Sequence, residues 1–396
     1  MSSEQHYDVV IIGAGILGSG IAQACALQGW STLVLEKAAE PATGASSKSS
    51  KLIHGGLRYL ESLQFKLVYT CLRERRLLCA LAPRLVRLKQ FSLPVYKSSS
   101  RSVVWVALGL FLYWALAGFR RDAGFSVCLF RAARRKAETL GLKTEGLRAL
   151  FFYYDAQADD RALTKAVLKS AQKLNAQVRF SEQIKAVTKL KHGFRLNLQS
   201  GSSVITRSLV NAAGPWVQDV HALLNLTTQE LPVSLVKGSH LLINENKCKA
   251  YYYLEAPQDK RPFFVLPWKG KLLLGTTESL SATADVSCTS DERLYLLGAH
   301  NYYFPNSQVL EKDVVASFSG VRVLPINRGA SNTNHTLNSR SRDSFLWVDS
   351  DLAGYWAVCG GKLTEYRAIA ELILPEIAAS LKKGSRLKST RRLLID

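Results

Sequence analysis

The sequence predicts an α/β fold, on three observations. An apolar strand, Val9 to Ile12, runs into glycines at positions 13, 15 and 18 and then into a helical stretch, Ile21 to Leu27. A second strand, Ser31 to Leu35, follows and ends in Glu36. Near the other end the pattern returns: Tyr355 to Val358 as a strand, Gly360 and Gly361 as a turn, Lys362 to Leu372 as a helix.

The first unit, YDVVIIGAGILGSGIAQACALQGWSTLVLEK, holds the GxGxxG spacing in its full setting of strand, helix, second strand and terminal acid. Gly13 allows the tight turn, Gly15 lets a pyrophosphate approach the backbone, and Gly18 lets helix and strand pack closely. The phosphates then face the helix N-terminus. Glu36 is placed to accept hydrogen bonds from the adenosine ribose hydroxyls, and its charge disfavours a 2'-phosphate. These features predict a dinucleotide site without separating FAD from NAD. Two later segments favour a flavin. Leu209 to Gly214, LVNAAG, continues into Pro215 and Trp216 as a strand entering a turn whose small residues let a cofactor pass close to the backbone. The glycine-rich helix start at Gly360 and Gly361 suits a reduced flavin ring, whose negative charge a helix N-terminus stabilises.

Composition narrows the remaining choices. The chain has 396 residues, of which 47% are hydrophobic and 21% charged, so it folds, with material for one large or two modest cores. A formal net charge of +21 attracts acidic partners: anionic lipid, nucleic acid or phosphorylated substrates. No DNA- or RNA-binding motif accompanies that charge, which removes nucleic acid from the expected partners. The seven cysteines are scattered without a CxxC pair, so neither a zinc site nor a disulfide framework is predicted, and a reducing cytosol fits. The opening MSSEQHYD is polar and reads as neither a signal nor a transit peptide.

One apolar run stands apart. Val103 to Phe119, VVWVALGLFLYWALAGF, has no charge, with Arg101 before it and Arg120 and Arg121 after it. It approaches the ~20 residues of a spanning helix, yet a span would put the segments on either side in different compartments. A buried or membrane-surface helix is expected. Two basic clusters, Arg131 with Arg134, Arg135 and Lys136, and Lys382 with Lys383, Arg386, Lys388, Arg391 and Arg392, would add attraction to anionic lipid.

Together GAGILGSG, SSKLIHGGLRYLE, DDRAL, NAAGPWV, KGSHLLI, the FFVLPW to GTTE stretch, SGVRVLP and GGKLTEYR span the chain from about Tyr7 to Glu371. In these segments it resembles the aerobic, membrane-associated FAD-dependent glycerol-3-phosphate dehydrogenases, within the D-amino-acid-oxidase-like flavoproteins. The resemblance implies a Rossmann-like FAD-binding domain, formed by residues 1–66, 148–230 and 311–380. It is interrupted by a mainly antiparallel β substrate domain, residues 67–147 and 231–310, and followed by a basic tail, 381–396. The family's helical C-terminal domain is expected to be absent.

The same resemblance implies site residues. Ser49, Ser50, Lys51, Leu52 and Gly55 would pass beside the FAD, joined by Ile184, Ala213, Gly214, Gly361, Lys362, Leu363 and Thr364. Arg58 and Tyr59 would face sn-glycerol 3-phosphate, with Arg342 and Lys362 as further cationic contacts. Arginine suits a phosphate because its planar fork makes bidentate, charge-assisted hydrogen bonds. His240 is the expected base and Arg322 the central substrate arginine. No metal is implied. Electrons would pass to membrane quinone from a peripheral position on the cytoplasmic face of the membrane. Another small anionic hydroxy or amino acid as substrate, oxygen as acceptor, and a non-catalytic flavoprotein remain the alternatives. Two departures bear on the substrate: Glu278 follows GTT where the family more often has aspartate, and VLP follows Arg322 in place of arginine-proline-leucine.

Overall fold

A computed structural model of the protein describes residues 4–224, 230–244, 250–326, 345–348, 352–384 and 386–395. The chain begins with strand β1 (Gln5–Ile12), helix α1 (Ile16–Leu27) and strand β2 (Thr32–Leu35), followed after a long connection by the short β3 (Leu52–Ile53). Next come α2 (Phe65–Leu81), β4 (Val86–Tyr96), α3 (Val103–Leu116), β5 (Ser126–Leu129), α4 (Phe130–Thr139) and the long β6 (Leu147–Ala158). The chain then returns through α5 (Asp160–Lys173), β7 (Gln177–Arg179), β8 (Ile184–Leu190), β9 (Gly193–Leu198), β10 (Ser203–Asn211) and α6 (Val217–Ala222). A run of β11 (Val233–Ile243), β12 (Tyr251–Glu255), β13 (Pro262–Trp268), β14 (Lys271–Gly275) and β15 (Ser279–Ser281) precedes α7 (Ser290–Tyr303) and β16 (Val314–Pro325). The chain closes with β17 (Phe345–Val348), β18 (Tyr355–Cys359) and α8 (Tyr366–Ser380).

Among the described residues the strands form two sheets. The first is ordered β17-β18-β10-β1-β2-β7, with the β8 and β9 hairpin attached to β10. Its centre is parallel: β1 pairs with both β2 and β10, and β10 with β18. Central strands buried on both faces read as unbroken apolar runs, which is what VVII in β1 and LVL in β2 supply. Helices α1 and α8 pack on one face around Ile21, Cys25, Ile373 and Ile377, all buried. The second sheet is mainly antiparallel, ordered β15-β11-β14-β13-β12-β4-β6-β3 with β16 on β11 and β5 on β6. It takes in β3, β6 and β16, which lie inside ranges assigned from sequence to the flavin domain. The reason is register: β6 pairs with β4 from Ala158–Val86 to Leu147–Tyr96, and β16 with β11 along almost its whole length.

The apolar run forms the 14-residue α3, capped by the Ser102 hydroxyl, which accepts from the Trp105 amide. Only Val106, Leu110 and Tyr113 are buried on it, while Val104, Trp105, Leu108 and Phe111 are exposed. No described helix is long and apolar enough to cross a membrane. The basic C-terminal segment does not trail away from the body. Gln28 and Lys388 exchange hydrogen bonds, Thr390 is buried beside Glu371, and the Ile395 amide donates to the Leu81 carbonyl.

Candidate functional site

A single cleft of about 520 Å³ lies between the two sheets and collects most of the residues singled out in the sequence. Its floor is the glycine turn. Gly13 has a φ of +101°, and a Cβ there would sit 2.7 Å from the Ala212 carbonyl oxygen, so the turn can pack against the end of β10 only as glycine. A Cβ on Gly18 would fall 1.9 Å from the Gly13 carbonyl oxygen. That is the close helix–strand contact expected of the third glycine, and Gly18 accordingly lies under the cleft rather than on it. Gly15 caps α1 without a side chain, and a Cβ added to it would meet only the Ser46 hydroxyl, at 3.2 Å. The start of α1 therefore faces open space with its partial positive charge, which is the cradle a pyrophosphate requires.

Glu36 has a role that sequence spacing does not predict. Its carboxylate accepts from the Ala14 amide at 2.7 Å and from the Ala38 amide at 2.9 Å, bracing the glycine turn against the end of β2. It still lines the cleft. Beside it the Lys37 ammonium lies 3.6 Å from the centre of the Trp216 ring, so these two side chains meet over that end of the cleft. Ala213, Gly214 and Ile184 complete this wall.

At the other end, Ser49, Ser50, Leu52, Gly361, Lys362, Leu363 and Thr364 line the cleft with Arg58 and Tyr59. Glycines at 360 and 361, with φ of +77° and +90°, turn the chain from β18 into a 3-10 turn (Leu363–Glu365) that leads into α8. Lys362 stands 4.2 Å over the Tyr59 ring and 3.1 Å from Glu365 Oε2. Burial alone would lower its pKa, but Tyr59, Cys71 and Glu365 outweigh that, and the net direction is upward. It stays charged at neutral pH.

Besides Gly18, two more expected cofactor residues, Lys51 and Gly55, are not on the cleft wall. The Lys51 ammonium is buried, bonded to both Asp160 carboxylate oxygens at 2.8 and 2.9 Å, because the Asp160 charge at the start of α5 needs a partner. Gly55 donates its amide to Asp155 at 2.8 Å, and a Cβ there would lie 2.2 Å from the Tyr113 hydroxyl. Its lack of a side chain serves packing against α3, not approach to a flavin. Arg342 falls outside the described residues.

The second sheet brings the chemistry. His240 on β11 is 2% exposed, stacked on Phe318 at 4.9 Å between ring centres, and backed by Gly275, where a Cβ would strike the imidazole. Its Nε2 lies 2.9 Å from the Ser50 hydroxyl. Nδ1 has no hydrogen-bond partner among the described residues. Burial first, then the positive charges of Arg322 and Lys51, push its pKa well below 6.5, so the ring is neutral at pH 7 and able to take a proton.

Arg322 on the neighbouring β16 stands in register with Val236 of β11, four residues before His240. Gly238 leaves it room, since a Cβ there would come within 3.0 Å of Nη2. Glu278, the departure from the familiar aspartate, sits 3.8 Å from Arg322 Nη1 and 3.8 Å from Arg261 Nη1, one carboxylate shared by two guanidiniums. With Arg58 also lining the cleft, its wall is cationic there and suited to an anion. Sequence reasoning passed over His54, Trp216, Tyr253 and Thr276, all on the cleft wall. His54, Trp216 and Thr276 stood inside quoted motifs, whereas Tyr253 carries no local signal.

The FAD-dependent oxidoreductase family model (DAO) matches residues 8–367. A glycerol-3-phosphate dehydrogenase of Synechocystis is 33% identical over 96% of this chain and 71% of its own length. An aerobic glycerol-3-phosphate dehydrogenase of Staphylococcus aureus is 32% identical over 96% and 68%. Among solved structures, the glycerol-3-phosphate dehydrogenase of Bacillus halodurans complexed with FAD superposes with a TM-score of 0.75, at 24% identity, over 100% of this chain and 68% of that one. The FAD-bound L-alpha-glycerophosphate oxidase of Mycoplasma pneumoniae gives 0.77 at 14% identity, over 99% and 98%; both structures establish the fold. The cradle at Gly13 and Gly15, the small residues at the end of β10 and the helix start after Gly361 fit the flavin dinucleotide of these relatives. The chain is a member of the FAD-dependent oxidoreductase family and, within it, of the glycerol-3-phosphate dehydrogenases.

Proposed function

We propose that the protein oxidises sn-glycerol 3-phosphate to dihydroxyacetone phosphate and passes the electrons to membrane quinone. One observation carries this reading: a neutral, buried His240 and the cationic wall of Arg322, Arg261 and Arg58 share a cleft with the dinucleotide cradle. The oxidation removes a hydride from C2 and a proton from the hydroxyl on that carbon. FAD, when bound, supplies the two-electron acceptor. His240 takes the proton, its ring held by Ser50 and Phe318. Arg322 and Arg58 hold the phosphate and favour the developing alkoxide, with Tyr59, Lys362 and Arg342 as the remaining substrate contacts.

The exposed apolar face of α3, with the exposed basic residues of α4 nearby in the chain, supports a peripheral position on the cytoplasmic face of an anionic membrane, where a lipid-soluble acceptor is within reach. The test couples both halves. Purified protein with glycerol 3-phosphate and a quinone analogue should form dihydroxyacetone phosphate and reduced quinone one for one. Hydrogen peroxide formed in air at the rate of quinone reduction would replace quinone by oxygen as acceptor.

A further inference from the structure

Asp155 is the only charged side chain in the strand run LFFYYDAQA, and it is 3% exposed. A lone carboxylate buried among aromatic residues is costly unless its hydrogen bonds are met. Here three donors converge on one of its oxygens, Oδ1: the Gly55 amide at 2.8 Å, the Tyr113 hydroxyl at 2.7 Å and Arg75 Nη1 at 2.9 Å. Arg75 itself is 1% exposed and also donates to Tyr113 Oη at 3.1 Å and, from Nη2, to the Asp122 carbonyl at 2.8 Å. Tyr113 is fully buried, and burial together with the Asp155 charge keeps its phenol protonated and therefore a donor.

This cluster gathers four parts of the chain: Arg75 from α2, Tyr113 from α3, Asp155 from β6 and the Gly55 backbone. The last is the informative one. Three and four residues beyond Gly55 stand Arg58 and Tyr59, and Asp155 lies with them on the cleft wall. The contact between Gly55 and Tyr113 is close enough to exclude a Cβ, so the segment has no slack at that point.

We propose that Asp155 is a positioning residue for substrate: through the Gly55 amide it sets the place of Arg58 and Tyr59, and through Tyr113 it makes α3 part of the active-site scaffold. The inference rests on glycerol 3-phosphate being the substrate. A displacement of α3 is then felt at Arg58 through two hydrogen bonds.

Tyr113→Phe is the clean test, because it deletes one hydroxyl and keeps the ring, whereas loss of the Asp155 charge leaves Arg75 buried without its counter-ion. In FAD-loaded full-length protein, Tyr113→Phe should raise KM for glycerol 3-phosphate about fivefold with kcat within about twofold. FAD stoichiometry and reduction by dithionite should be unchanged. Asp155→Asn, where it folds, should raise KM further. If Tyr113→Phe keeps the native KM, with or without a lower melting temperature, the network is purely structural and the proposal falls. If glycerol 3-phosphate fails to reduce the flavin of the unsubstituted protein while dithionite succeeds, the substrate assignment falls first and takes the proposal with it.

Discussion

At the residue scale the arrangement turns on side chains whose ionisation is set by their surroundings. His240 is neutral because it is buried first and faces two cations second, so the pKa seen in the free enzyme lies below 6.5. Its sign follows from proton counting. Below about pH 6.5 the unfolded chain binds the proton and the native one does not. Its contribution to stability is therefore complete above that value and is lost as pH falls beneath it. The acid limb of a kcat/KM profile should likewise lie below pH 6.5, and a limb at or above 6.5 would show that another group is the base. His240→Ala should slow anaerobic flavin reduction far more than it weakens substrate binding. Arg322→Ala should lose at least ~2 kcal/mol of transition-state stabilisation, a factor of roughly thirty in kcat/KM, with FAD retained; near-normal turnover would remove it from the phosphate site. Gly15→Val should prevent FAD binding, because the branched side chain occupies the path to the start of α1.

At the scale of elements, much of the first sheet was legible in the sequence because its strands and turns carry local signatures. Val9–Ile12 and its glycines read directly as β1 and the start of α1, and Tyr355–Val358 as β18. What was not legible was pairing at long range. Nothing local in LFFYYDAQA says that it joins the second sheet through β4, and nothing in KLI says that Lys51 turns to Asp160, more than a hundred residues on. The apolar run between Arg101 and Arg120 gave the existence of α3 but not its outward face, since periodicity is lost when almost every residue is apolar. Charged residues buried between helices were also missed. Arg367 on α8 is 1% exposed and makes a bidentate pair with Glu74 on α2, at 2.6 and 2.7 Å, with Glu371 2.6 Å away. Breaking such a pair strands a buried charge, so Glu74→Gln should destabilise the fold by about 3 kcal/mol, moderated by the remaining Glu371 contact. Urea unfolding checks it, and an unchanged midpoint would contradict the role given to this pair.

At the scale of the whole molecule, the site cleft lies between two sheets, and α3 and the start of α4 carry exposed apolar side chains with basic neighbours in the chain. Trp105 is 60% exposed, Val104 76% and Phe130 79%, and Arg131, Arg134, Arg135 and Lys136 on α4 are exposed as well. Apolar burial and basic attraction then act together. Binding to phosphatidylglycerol vesicles should weaken in raised salt without vanishing, and Trp105→Glu should weaken it at every salt concentration. Equal sedimentation of both proteins with the vesicles would dismiss α3 as the contact. The central claim, however, concerns chemistry in the cleft, and anaerobic flavin reduction in purified, FAD-loaded protein tests it most directly. Glycerol 3-phosphate should bleach the flavin band within the mixing series, while lactate, 2-hydroxyglutarate and sarcosine at the same concentration leave it oxidised. Bleaching by one of those three in preference to glycerol 3-phosphate, or by none of the four in protein that dithionite reduces, would contradict the account.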